Sequence, residues 1–131
     1  MSHQIAKNLY LGDDQVSREG FHLALDLTEW HAEEAFEYKD YSVPYRAIQE
    51  IHKHLYKLGS INELVLVFCH GGMDRSPFVV AMYLHHYHGK TVYEAYEAVK
   101  KRHPQTIIHD DWAISFSKWL SSRNKYSKRN P

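Results

Sequence analysis

Along residues 21–28 (FHLALDLT) hydrophobic and polar positions alternate, with Phe21, Leu23, Leu25 and Leu27 on one side and His22, Ala24, Asp26 and Thr28 on the other. That period of two predicts a strand. Residues 5–12 (IAKNLYLG) alternate in part and run into Gly12-Asp13-Asp14, which predicts a short strand and a turn. Residues 63–69 (ELVLVFC) are apolar without a break after Glu63, the pattern of a central strand covered on both faces of a mainly parallel sheet. The helical period appears at Ala47, Ile48, Ile51, Leu55 and Leu58, with Pro44 placed to open the helix at its first position and Gly59 to stop it. Ser76-Pro77 reads as an N-cap followed by proline, and residues 78–84 are apolar on nearly every side up to a close near Gly89. A helix apolar all round is a buried helix. Thr91-Val92-Tyr93-Glu94 is a capping box opening a helix that runs to about Arg102, before Pro104. Asp110 or Asp111 caps a last helix whose Trp112, Phe116 and Trp119 are core candidates. Between these elements, residues 29–35 read as a polar connection and residues 36–41 as a short edge strand ending in Lys39 and Asp40. Strands alternating with helices predict an α/β fold with a mainly parallel central sheet flanked by helices.

Composition narrows the function classes. A chain of 131 residues, 44% hydrophobic and 14% aromatic, is enough for one packed domain and too short for two. Sixteen basic residues balance sixteen acidic ones, which excludes a polyanion-coating protein. The longest apolar runs fall far short of the ~18 residues of a membrane span, and the amino end lacks a basic-then-apolar signal pattern. A soluble, monomeric, cytoplasmic protein without a membrane partner is expected. Residues 1–120 form the expected domain. Residues 121–131 are polar, with Arg123, Lys125, Lys128 and Arg129 unopposed by an acid, and read as a disordered, solvated tail. Of the eleven histidines, His52 and His54 fall on different helix faces and only His85 and His88 share one. No metal site is assigned, and no cofactor is called for.

The candidate chemistry lies in Cys69-His70-Gly71-Gly72-Met73-Asp74-Arg75-Ser76, between the most apolar strand and the most apolar helix. A thiol at a strand's carboxyl end, followed by a glycine-containing loop into a helix N-terminus, faces backbone N–H groups and the positive end of a dipole, which favour thiolate. The same concavity suits a phosphate dianion, held by the backbone N–H groups of His70, Gly71, Gly72, Met73, Asp74 and Arg75. Arg75 can turn its planar fork toward the bound oxyanion. The bland alternative for the single cysteine is a small buried hydrophobe.

Cys-x5-Arg-Ser with glycine at Gly72 resembles the signature loop of the cysteine-dependent protein tyrosine phosphatases. Asn8-Leu9-Tyr10-Leu11-Gly12, the strand at residues 23–28 and the strand-loop-helix at residues 65–84 resemble the small dual-specificity branch in particular. The resemblance covers most of the chain. It implies hydrolysis of phosphomonoesters through a phosphocysteine at Cys69, with Arg75 and the loop amides holding phosphate, no metal, and a phosphorylated protein as partner. Phosphotyrosine is the favoured substrate, with phosphoserine or phosphothreonine beside it. Ser76 in this family supports departure of the thiolate, a role compatible with an N-cap. A general acid is needed upstream, and Asp40, closing the Phe36-Glu37-Tyr38-Lys39-Asp40 rhythm, is the first candidate. Asp74 is the rival, since some lipid phosphatases of the wider superfamily carry Asp just before the Arg; Glu37, Asp110 and Asp111 follow. Three departures stand out: Phe68 where the family has His, Ile108-His109 where it has Pro-Asn, and a loop without lysine, which fits a strongly anionic inositol phosphate poorly. An RNA 5′-phosphatase, the one reading with a nucleic-acid partner, and a catalytically weak phosphate-binding module are the alternatives.

Overall fold

The computed structural model describes residues 2–56 and 63–129, with side chains as far as Arg123. The chain order is β1 (His3–Ala6), β2 (Leu9–Asp13), β3 (Leu23–Asp26), α1 (Ala32–Glu37), α2 (Ser42–Leu55), β4 (Val65–Cys69), α3 (Arg75–Tyr87), α4 (Val92–Arg102) and α5 (Asp110–Arg129). Four strands form one mixed sheet in the order β1-β2-β4-β3. β4 is central and parallel to both neighbours, and β1 is antiparallel to β2.

The apolar run is the centre of the molecule, as its pattern predicts: every residue of β4 is buried. Because successive strand residues face opposite ways, Val65, Val67 and Cys69 join Leu9, Leu11 and the α3 residues in one core. Phe68 faces the other way, under the guanidinium of Arg18, which sits 4.5 Å above its ring. α3 is buried without interruption from Ser76 to Leu84. The Thr91–Glu94 capping box of α4 is present in both its hydrogen bonds.

Several elements differ from the sequence expectation. Residues 3–13 form a hairpin of two strands rather than one strand and a turn, with Asn8 supplying the left-handed turn residue at φ 64°. Residues 32–37 are helical. The Phe36-x-Tyr38 alternation is a coincidence of spacing: Ala32, Ala35 and Phe36, three and four apart, turn inward together, while Tyr38 is 73% exposed. Phe36 stacks on Trp112 at 5.3 Å and meets Phe78 edge-on at 5.5 Å, so an aromatic cluster fixes α1 against α3 and α5. Lys39, left-handed at φ 55°, ends the helix, and the Asp40 N–H donates to the Ala35 carbonyl at 2.8 Å.

The helix starts are also shifted. α2 begins at Ser42, which puts Pro44 at its third position, and the expected stop at Gly59 lies outside the described residues. α3 begins at Arg75 after Asp74, so Ser76 is inside the helix rather than its N-cap. α5 continues through residues 121–129 as helix where composition predicts disorder. No glycine or proline interrupts that stretch, and its late basic residues suit a helix carboxyl end.

Candidate active site

β4 delivers Cys69 to the sheet's carboxyl edge, and the chain enters α3 six residues later. The thiol is 1% exposed and lies beneath the loop. Its Sγ is 3.2 Å from Ser76 Oγ and accepts the Ser76 backbone N–H at 3.4 Å. Ser76, drawn inside the first turn, is itself fully buried, and its hydroxyl also reaches the Gly12 carbonyl at 3.3 Å. One hydroxyl proton thus stands between a carbonyl oxygen and a sulfur.

The loop is tied down from four directions. At its start, His70 Nδ1 lies 2.8 Å from Asp14 Oδ2. The His70 hydrogen bond, followed by that from Gln15, holds the Asp14 carboxyl below its ordinary value. Gly72 is left-handed at φ 65°, and a Cβ there would lie 3.0 Å from the Gly12 carbonyl oxygen, so both conformation and space require glycine. From below, the fully buried His103 donates from Nε2 to the Gly72 carbonyl at 2.5 Å, and its Nδ1 lies 2.6 Å from His3 Nδ1 in β1. A carbonyl only accepts, so Nε2 carries a proton. Burial pushes the His103 value down, favouring the neutral ring. From the late loop, the Ile107 N–H donates to the Met73 carbonyl at 2.8 Å. The amides of Gly71, Gly72, Met73 and Asp74 donate to no carbonyl among the described residues.

Arg75 turns away from bulk water. Its Nη1 donates to the carbonyls of Leu27 at 3.0 Å, Thr28 at 2.9 Å and Trp30 at 3.2 Å, which ties α3 to the connection after β3. Arg75 and Asp74 then form one wall of a cleft of roughly 630 Å³ whose other wall is α1, with Glu33, Glu34, Glu37 and Tyr38. Trp30 and Trp112 also line it. Asp74 Oδ1 is buried and faces His109 Nε2 at 3.7 Å, and His109 stacks on Trp112 at 3.7 Å between ring centroids.

The sequence-predicted residues therefore divide. Cys69 at the end of β4, His70, Gly71, Gly72, Met73 and Asp74 in the loop, and Arg75 and Ser76 in the first turn of α3 stand together, and Glu37 is on the facing wall. Asp40 is not on that wall: its carboxylate accepts the Ser42 N–H at 3.0 Å and the Ser42 hydroxyl at 2.6 Å at the exposed start of α2. The Ser42 hydroxyl, then the Ser42 amide, hold the Asp40 carboxyl below its ordinary value. Asp110 and Asp111 start α5 outside the cleft. Sequence reading missed His103 and Gly12, whose roles come from contacts with distant segments, and it missed α1 as a wall. Among the described residues no group of three His, Cys, Asp or Glu side chains could hold a metal ion, and no helix is long and apolar enough to cross a membrane.

The mixed sheet thus delivers a cysteine into a glycine loop that leads through an arginine into a buried helix. The family model "Dual specificity phosphatase, catalytic domain" matches residues 7–122, and the chain belongs to that family. It is 27% identical over 139 aligned positions to "Putative tyrosine phosphatase 123R" of Invertebrate iridescent virus 6, with 94% of this chain and 96% of the viral protein covered. Its fold is that of human DUSP28, with a TM-score of 0.71 at 16% identity over 94% of this chain and 95% of that one. PTPMT1 in complex with PI(5)P is similar in the same sense, with a TM-score of 0.72 at 19% identity over 94% and 98% of the two chains.

Proposed function

We propose that this phosphatase hydrolyses protein phosphotyrosine, and phosphoserine or phosphothreonine more slowly, through a phosphocysteine at Cys69. The observation that carries this reading is the sulfur's burial at the foot of the loop, 3.2 Å from a hydroxyl and 3.4 Å from an amide hydrogen-bond donor, with Arg75 at the loop's far end held by the carbonyls that follow β3. Hydrogen bonds donated to sulfur stabilise its anion. While Cys69 is a thiol, the Ser76 hydroxyl serves the Gly12 carbonyl; as thiolate forms, the hydroxyl turns to the sulfur.

With phosphate seated in the cup of residues 70–75, the sulfur attacks phosphorus in line with the ester oxygen. The P–S bond forms, the P–O bond breaks, and the departing oxygen takes a proton from Asp74. Water then attacks phosphorus and gives its proton to the Asp74 carboxylate. The P–S bond breaks, and inorganic phosphate and thiolate are released. Arg75 and the loop amides hold the non-bridging oxygens, whose charge is spread in a loose transition state. Asp74 takes the acid role ahead of Asp40 because it shares the cleft with Arg75, whereas Asp40 is committed to Ser42. No metal or cofactor enters any step.

Rapid acid quench of purified protein turning over an aryl phosphate tests this directly: a phosphoryl group on the Cys69 peptide is expected by mass spectrometry. Turnover without that adduct, or equal turnover by Cys69→Ser, would overturn it. Faster release of phosphate from 5′-triphosphorylated RNA than from phosphotyrosyl peptide would move the assignment to an RNA 5′-phosphatase. Peptide binding without turnover would make the chain a binding module.

A further inference from the structure

Resting on that reading, we infer that the cleft selects phosphotyrosyl segments flanked by lysine or arginine and rejects polyphosphorylated substrates. The phosphate is held by the loop and Arg75; what surrounds it is acidic. Glu33, Glu34 and Glu37 project from α1 along the cleft, are exposed, and make no ion pair with any described residue. With Asp74, four carboxylates line the cleft against the single guanidinium of Arg75, in a protein whose overall charge is balanced. His31 also lines it, while Lys39, just past α1, does not. His70, the other basic side chain of the loop, is already paired with Asp14 at 2.8 Å.

This wall is held in place. Ala32 and Phe36 anchor α1 in the core, so the glutamates cannot retreat as a mobile loop would. A dianionic phosphate brought past them is repelled unless its carrier supplies cations, and a second or third phosphate meets no lysine or arginine other than Arg75 among the described residues that line the cleft. A peptide with basic residues beside the phosphotyrosine relieves both charges. The exposed ring of Tyr38 at the rim adds an aromatic face for an arginine or lysine.

The test compares kcat/KM for matched phosphotyrosyl peptides flanked by Lys/Arg, by Ala or by Asp/Glu, alongside a small aryl phosphate, an inositol polyphosphate and a 5′-triphosphorylated RNA. At low salt the basic peptide is expected to exceed the acidic one by about tenfold, from two or three exposed charge pairs of ordinary strength. That ratio should shrink at high salt as the pairs are screened. In Glu33→Gln/Glu34→Gln/Glu37→Gln it should fall to about twofold or less, and the double variant Glu33→Gln/Glu37→Gln gives the same reading if the triple variant does not fold. Equal turnover of acidic and basic peptides, or a ratio untouched by the glutamines, would overturn the inference while leaving the phosphotyrosine reading intact, whereas preference for the inositol phosphate or RNA would overturn the inference and the phosphotyrosine assignment with it. Failure of wild-type protein to hydrolyse even the aryl phosphate would bring down both.

Discussion

The floor and the outer wall of the cleft are built on opposite principles. On the floor, Cys69, Ser76 and His103 are buried, and each polar atom there has a named partner in another element: Gly12 from β2, Gly72 from the loop, His3 from β1. On the wall, α1 is anchored by Ala32, Ala35 and Phe36, and its carboxylates stand in solvent. Buried polar groups tolerate little change, since a lost partner leaves the other unsatisfied, whereas exposed charges can be exchanged at small cost. On the mechanism and specificity proposed above, the chemistry would be set where the structure is least tolerant, and the choice of substrate where it is most tolerant.

The sharpest way to break that contrast is at the sulfur. Cys69→Ser is expected to reduce turnover by about a thousandfold or more on every substrate while the thermal transition is retained; activity near wild type would remove the floor from the chemistry. Next comes Arg75→Lys, which keeps the charge but loses the planar fork and the bond to three carbonyls. Its kcat/KM should drop by roughly 10²–10³, equally for peptides of any charge, because the loss is in transition-state stabilisation.

Asp74→Asn is expected to slow alkyl phosphates by about a hundredfold and activated aryl phosphates only slightly, since a good leaving group hardly needs a proton. Asp40→Asn should leave both rates within about twofold, as its carboxylate serves only Ser42 at the start of α2. The reverse pattern would return the acid role to Asp40.

The smallest effect is in the pH dependence of stability. His103 is held below its ordinary value first by burial, so its neutral ring contributes stability that is complete above the unfolded-state value of about 6.5. That contribution is lost as pH falls through the lower folded-state value, because protonation sets two N–H groups, on His103 and His3, against each other. Calorimetry from pH 7 to 5 should show this loss in the wild type and less of it in His103→Gln; identical slopes would mean the floor does not depend on the neutral ring.

Much of the floor was legible in the sequence. An unbroken apolar strand, a Cys-x5-Arg loop and an apolar helix are adjacent in the chain, so local pattern was enough to place them together. The wall was not legible, because Glu29 to Glu37 is polar at most positions and the inward residues Ala32 and Phe36 acquire their meaning only from Trp112 and Phe78, which lie far along the chain. Asp40 shows the same limit from the other side. Its spacing suited a proton donor, but whether a carboxylate faces a cleft or caps a helix depends on the turn made at Lys39. Nothing in the residues around His103 marks it as the prop beneath Gly72, since the partners come from the two ends of the fold.

The close approach of Gly72 to the end of β2 couples backbone to thiol. A methyl group at position 72 would press on the Gly12 carbonyl, and that oxygen is the one that competes with sulfur for the Ser76 hydroxyl. Gly12 is held in β2, where it pairs in register with Phe68 of β4. Crowding at one glycine would thus be transmitted, through a carbonyl and a hydroxyl, to the reactivity of a thiol that it never touches.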